Sequence, residues 1–414
     1  MRSILNKHDF EWMLTLFGTA VGAGILFLPI QAGLGGIWPM IAVTLIIFPL
    51  TYLSHRGITR IVASNKEPKD ITGVVEQDLG KNVGFAVSIL YFLSIVTICV
   101  GYATGVTNLV ESFLENQMGI SGFPRPLLCL LLLLLLTSVI VAGEKVLITV
   151  TSLMVYPLIV ILFGLSIYMM PEWNLSVFEQ PLVPNDVLRH VLLIFPLLVF
   201  AMNFSPICSA FGLSYRERCS TPEEAVKRTD KIIFWNCLIL LIFVMFFVFS
   251  MVLSSTPESI KVAKAENIDI LTMISLNHHH PLIRYFVPLL AFFAIASSYF
   301  GHFLGTREGL NSIVRFAVER KNSAGDIKSI RHLNKYTTIA LVLFLWALAV
   351  YNPSILNMIG MLSAPIIALY CYIMPVVMMR RIPRLAIYRT RFGGVVFVMG
   401  LVAITGYTLA EMMA

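Results

Sequence analysis

Three glycines stand within seven residues at Gly18-Thr19-Ala20-Val21-Gly22-Ala23-Gly24, in the middle of an apolar segment running from about Phe10 to Ala32. Glycine weakens a helix interior, so this stretch predicts an interruption. Inside a bilayer, broken backbone is tolerated only where it is buried in protein or lines a cavity. A second interruption, Asn203-Phe204-Ser205-Pro206, falls about halfway along another apolar segment. Each break creates half-helix ends. N-terminal ends offer free N–H groups and partial positive charge, which suit a carboxylate; C-terminal ends and unwound carbonyls suit a cation or an ammonium group. A zwitterionic amino acid presents both charges. Gly22, Ala23 and Gly24 would offer N–H groups to its carboxylate, with Thr19 and Ala20 on the same stretch. Carbonyls around Asn203, Phe204 and Ser205 would accept from its amine. Close helix packing is the other use of such glycines, but a matching break in each half of a membrane chain points to a secondary transporter.

A third stretch, Ala294-Ile295-Ala296-Ser297-Ser298-Tyr299-Phe300-Gly301-His302, lies in a later apolar segment. Paired serines in a membrane helix commonly bond back to the preceding turn. The alternative is a Na⁺ site built from Ser297 and Ser298, with Ala294 behind them and carbonyls at Gly18 and Val21. Na⁺ at these serines is the one metal candidate. His302 is read as the titratable side chain nearest mid-span. It is either a packing histidine or a proton carrier, the default for an ionisable group inside the membrane. Arg307-Glu308 reads as a gate or an interface ion pair, and Glu144-Lys145 as a solvated turn. His278-His279-His280 sits in a loop with little promise as a metal site. The six cysteines show no CxxC or Cys/His ligand spacing, so neither disulfides, a structural metal nor a cofactor is expected.

The elements that must position these residues are membrane spans. The 414 residues are 57% hydrophobic and 13% charged, which excludes an ordinary soluble protein. Eleven apolar segments are long enough for a bilayer core, at about 10–32, 37–55, 84–113, 126–143, 146–170, 188–212, 232–254, 283–308, 336–351, 354–379 and 392–413. With the N-terminus inside, all but five of the 30 Lys and Arg fall in inside segments; the exceptions are Arg125, Arg189, Lys261, Lys264 and Arg284. That bias is the positive-inside pattern and supports the span count. It also accounts for the net charge of +7 without a nucleic-acid partner. The longest outside segment, about 255–282, has room for a short surface helix. No soluble domain and no phosphate-binding GxxxxGK[ST] loop is present, so an ion or substrate gradient must supply the driving force. The spans lack paired acids and a nucleophile with an adjacent base, which argues against an enzyme.

Residues 1–414 read as a single transmembrane domain. Its first five spans (about 10–170) and next five (about 188–379) form two repeats, followed by an extra helix at about 392–413. A repeat of five spans starts its second copy from the opposite side, so the repeats are inverted, with a break in the first helix of each. This is the LeuT-type arrangement. The third span, near Tyr91, Ser94, Thr97 and Ile98, should shape the side-chain pocket. Thr19 or Ser205 would bond a substrate hydroxyl, and Phe204 would close over the substrate.

The chain resembles the hydroxy/aromatic amino acid permease family of bacterial inner-membrane symporters, its serine and threonine members above all. The matching segments are Gly18 through Ile30, His55-Arg56-Gly57-Ile58-Thr59-Arg60, Asn203-Phe204-Ser205-Pro206-Ile207, Gly301 through Gly309, and Asn352-Pro353-Ser354-Ile355-Leu356. The resemblance spans nearly the whole chain. It implies proton-driven uptake of a small hydroxy amino acid by alternating access in the inner membrane, where the charge bias and span count place the N-terminus in the cytoplasm and the C-terminus in the periplasm. Ser297-Ser298 is also similar to the ion site of sodium-coupled LeuT-type transporters, so a Na⁺ symporter stands as the alternative. An exporter or exchanger on the same fold is a further one. Partners are the amino acid and the lipid bilayer; the oligomeric state is not legible.

Overall fold

The computed structural model describes residues 6–179, 183–277, 281–321 and 332–413; the His278-His279-His280 run lies outside them. Every regular element among the described residues is a helix. The expected first span is two helices, α1 (Lys7–Ala20) and α2 (Ala23–Gly35), bent by 52° at the glycine stretch. α3 (Ile37–Ala63) continues eight residues past the expected end at residue 55. A short α4 (Ile71–Leu79) leads into α5 (Lys81–Asn116), α6 (Arg125–Val141) and α7 (Glu144–Tyr168).

The second half opens with α8 (Pro184–Ala201) and α9 (Ser205–Arg218), two halves of the other broken span, followed by α10 (Pro222–Leu253). Two short helices, α11 (Pro257–Ala265) and α12 (Ile270–Asn277), fill the segment expected to hold one surface helix. α12 is no surface helix, since six consecutive residues from Ile270 to Ser275 are buried. α13 (Pro281–Lys321), α14 (Leu333–Tyr351), α15 (Ile355–Arg381) and α16 (Gly393–Met412) complete the bundle. α15 carries two wide π-type turns, at Ile359–Ser363 and Leu369–Ile373.

By length and composition, nine described helical stretches can cross a membrane, or ten with α1 and α2 counted as one bent span. The protein is therefore a multi-pass membrane protein. The expected count of eleven rests on α6, an apolar helix of 17 residues and so a shorter span than the rest.

α5 and α13 lie side by side through the centre. Glycines let them approach: a Cβ on Gly305 would stand 3.1 Å from Ile95, and one on Gly309 would stand 3.1 Å from Phe92. Thr306 Oγ1 and Cys99 Sγ meet between them at 3.3 Å. All six cysteines are free and buried. α16 packs on α15 where Gly360 accommodates the Tyr407 ring.

Charged pairs tie the ends of the bundle together. On the side of the α1 N-terminus, Arg60 meets Asp230 and Arg384 meets Asp78, each at 2.5 Å. Asn6 and Asp9 cap α1 reciprocally, and buried Asp9 accepts the Tyr215 hydroxyl of α9 at 2.5 Å. On the other side Arg125 pairs with Glu111 and also bonds Asn108 and the Ala349 carbonyl. There α11 lies against α2, with Ile260 in the space that a Cβ on Gly33 would occupy.

Candidate functional site

α1 ends at Val21, whose ψ of 92° leaves the helical region, and α2 restarts after an extended Gly22. The first N–H groups of any helix lack an intrahelical acceptor, and no side chain caps these. Glycine is required at position 22 by close approach. A Cβ there would lie 2.2 Å from Ser298 Oγ and 3.0 Å from Tyr102 Oη. A Cβ on Gly24 would lie 2.8 Å from Ala201 Cα, so the two broken regions touch each other directly.

α13 brings its polar residues against this first break. Ser298 Oγ donates to the Val21 carbonyl at 3.0 Å, and Ser297 Oγ donates to the Ala294 carbonyl at 3.3 Å. His302 Nδ1 lies 2.8 Å from the Ser298 carbonyl, which has no proton to give, so Nδ1 carries one and donates it. Nε2 is then the basic nitrogen of the neutral ring. The ring stands edge-on to Tyr102 with centroids 5.1 Å apart. Ser297, Ser298 and His302 are all buried.

The second break is organised differently. Phe204 precedes α9, and its N–H donates to His55 Nε2 of α3 at 3.1 Å. That fixes a neutral imidazole whose Nδ1–H donates to the Thr51 carbonyl at 2.9 Å. The Phe204 ring stacks on the imidazole with centroids 4.0 Å apart. The Ser205 N–H donates to Asn203 Oδ1 at 3.1 Å. Pro206 has no N–H and pre-sets the helical φ of the first turn. From α5, the Tyr91 hydroxyl donates to the Pro206 carbonyl at 3.2 Å.

A cavity of about 690 Å³ leads toward the first break from the side of the α1 N-terminus. Its walls come from α1 (Glu11, Thr15, Gly18, Thr19), α7 (Thr151, Val155) and α13 (Ser297, Ser298, Gly301), and Ile207 of α9 also reaches it.

Of the residues singled out in the sequence, Val21, Gly22, Ser298 and, through Tyr102, His302 meet at the first break; Gly24 packs on Ala201, Gly18 lines the cavity with Ser297 and Ser298, Ala294 accepts from Ser297, and Ala20 is the last residue of α1. Asn203, Phe204, Ser205 and Tyr91 gather at the second. Two others, Thr19 and Thr97, lie apart from that convergence, and Phe204 is not free to close over a substrate. Thr19 lines the cavity but returns its hydroxyl to the Thr15 carbonyl at 2.8 Å. Thr97 bonds back to the Leu93 carbonyl. Phe204 lies on His55 with its ring fully buried. Ala23 opens α2.

The model of the tryptophan/tyrosine permease family matches residues 10–410. The chain belongs to that family. Among curated relatives, this permease is 38% identical over 412 residues to the serine transporter SdaC of Escherichia coli (strain K12), covering 98% of this chain and 95% of that protein. It has the same identity and coverage with the serine transporter SdaC of Shigella flexneri. Among solved structures, the permease has a TM-score of 0.57 to MhsT in complex with L-phenylalanine, at 14% identity, covering 99% of this chain and 98% of that one. The score is 0.59 to a manganese transporter of Eremococcus coleocola, at 14% identity with 99% and 87% covered. It is 0.57 to a Na⁺-coupled sialic acid symporter in a substrate-bound outward-open state, at 12% identity with 96% and 88% covered. At such identities the likeness is one of fold, and the fold is LeuT-type.

Two residues of the permease escaped functional reading of the sequence. His55 stands at the expected end of its span, beside Arg56 and Arg60, where a charge count places a loop. The helix in fact continues to Ala63 and buries the imidazole. Tyr102 carries no spacing signal. Its contacts with Gly22 and with the His302 ring mark it.

Proposed function

We propose that this permease is a secondary active transporter that takes up a small hydroxy amino acid, such as serine or threonine, by proton-coupled symport. The observation that carries the reading is the uncapped helix start at Gly22–Gly24, tied through the Val21–Ser298 bond to the polar face of α13 at the end of a cavity. The family membership and the 38% identity to serine transporters support the substrate class.

The substrate carboxylate takes the N–H groups of Gly22, Ala23 and Gly24, where the helix start carries partial positive charge. Its ammonium takes carbonyl oxygens around Asn203, Phe204 and Ser205. The proton binds His302 at Nε2, since Nδ1 is already committed to the Ser298 carbonyl. With its cavity on the side of the α1 N-terminus, the conformation described here is the one that releases substrate to the cytoplasm. The protein sits in a bacterial inner membrane with the N-terminus cytoplasmic and the C-terminus periplasmic. Alternating access comes from α1, α2, α8 and α9 rocking against α5, α6, α13 and α14, the repeats spanning about 10–170 and 188–379.

A sodium-coupled reading has its own observation. The hydroxyls of Ser297 and Ser298 and the carbonyls of Ala294 and Val21 form a group of hard oxygen donors beside Gly18. Serine uptake into proteoliposomes under separately imposed gradients separates the two. Uptake driven by the proton gradient alone supports His302 as the coupling residue. Uptake requiring Na⁺ makes the serines the ion ligands. Counterflow in the same vesicles distinguishes uptake from exchange or export on the same fold.

A further inference from the structure

Asn203 is 3% exposed. Its Oδ1 accepts the Ser205 N–H, which fixes the oxygen end of the amide. The Nδ2 end has no acceptor among the described residues. Buried side-chain donors in native proteins almost always have a partner, and an exception calls for a reason. The rest of the α9 start is already committed. The Phe204 N–H is held by His55 Nε2, the Ser205 N–H by Asn203 itself, and the Ile207 N–H by the Phe204 carbonyl; Pro206 has none. A carboxylate therefore finds no free backbone donor here, in contrast to the uncapped start of α2. The second break presents carbonyl oxygens and one unspent amide NH₂.

The contact between Gly24 and Ala201 puts the two breaks within the span of one small amino acid. A substrate held by its carboxylate at Gly22–Gly24 lies with its amine and side chain toward the second break. A side-chain oxygen there completes the bonding of Asn203 Nδ2, whereas an alkyl side chain leaves that donor buried and unpaired. Sites built to bond a substrate hydroxyl discriminate strongly against analogues that lack it, for this reason. We propose that Asn203 is the specificity-determining residue for the substrate hydroxyl, donating through Nδ2, and that His55 is the positioning residue that closes the α9 start so that this donor alone remains. The inference rests on the transport reading above and names the group that selects its substrate.

The test is competition between serine and alanine, which differ by the hydroxyl, in proteoliposomes of the full-length protein. The wild type is expected to prefer serine by roughly 10- to 100-fold. Asn203→Ser keeps a hydroxyl that can accept the Ser205 N–H, and Asn203→Asp keeps the Oδ1 acceptor. Neither has the amide donor, and in both the preference should fall to within about threefold. If serine and alanine transport fall together in both variants, Asn203 is a structural cap and the proposal is overturned. A readout that needs no variant is thermal stabilisation of purified wild-type protein by each amino acid. Greater stabilisation by serine supports the assignment, and equal stabilisation overturns it. Wild-type uptake of both amino acids without preference overturns the Asn203 role and leaves the transport reading standing. Uptake of neither overturns both.

Discussion

At the first break the new helix start has no side-chain cap, and Ser298, packed against Gly22, lines a cavity. At the second, His55 and Asn203 take the first two N–H groups, and the third residue is proline. A buried histidine serves each break by the same local device. His55 bonds the Thr51 carbonyl and His302 bonds the Ser298 carbonyl, each through Nδ1 to the residue four before it. The two rings differ in what meets the other nitrogen. His55 Nε2 is spent on the Phe204 N–H, whereas the His302 ring faces Tyr102 beside the serine pair. One histidine thus has both ring nitrogens committed to backbone groups, and the other commits Nδ1 alone to a backbone carbonyl. Broken helices of the same kind acquire different polarity because of what their neighbours supply.

The largest expected effect tests the crowding at the first break. Gly22→Ala places a methyl 2.2 Å from Ser298 Oγ, and Gly24→Leu drives a side chain into Ala201 and Phe200. Both should reduce uptake at least 100-fold with membrane expression kept, because misplacement by about 1 Å in a binding site costs that much. Normal uptake by either variant would remove the first break from the site.

An intermediate effect separates acceptor from packing at the second break. His55→Phe keeps a ring to stack on Phe204 but leaves its N–H unpaired, while His55→Gln supplies an acceptor and loses the stack. An unpaired buried donor costs about 1–3 kcal/mol, so the Phe variant should raise KM roughly tenfold with Vmax little changed, and the Gln variant should stay closer to wild type. The reverse order would mean that stacking, not the hydrogen bond, shapes this break.

The smallest effect is at Gly301, which lines the same cavity but has nothing within 4 Å of where a Cβ would stand. Gly301→Cys should transport within about twofold of wild type, since surface-like substitutions stay near 0.5 kcal/mol. A membrane-impermeant thiol reagent should label it from the side of the α1 N-terminus. The six native cysteines, Cys208 beside the second break among them, are buried and should stay unlabelled. Labelling of Cys208 in place of the introduced cysteine would reverse which break is open to the cavity.

Much of this was fixed by sequence alone. Composition and span length determined a membrane bundle, because apolar segments of that length have no other stable home. Glycine clustering and the Asn-Phe-Ser-Pro run marked where two helices break, since such residues weaken a helix locally. Ser297, Ser298 and His302 were legible because polar side chains are rare within apolar spans. The tertiary structure decided which polar atoms at the breaks are spent. Only the packing of α3 against α9 takes the Phe204 N–H with His55, and only the approach of α13 to Gly22 ties Ser298 to Val21. Those bonds join residues 149 and 277 positions apart, and no local pattern encodes a partner at such a distance. Charge misled at α3, where Arg56 and Arg60 suggested a loop. The helix continues because its arginines find partners, Arg56 on Tyr52 of the same helix and Arg60 on Asp230 and the Tyr388 carbonyl of other elements. The compensation at Arg60 depends on helices brought together from distant parts of the chain, and it decided that His55 is a buried member of the second break.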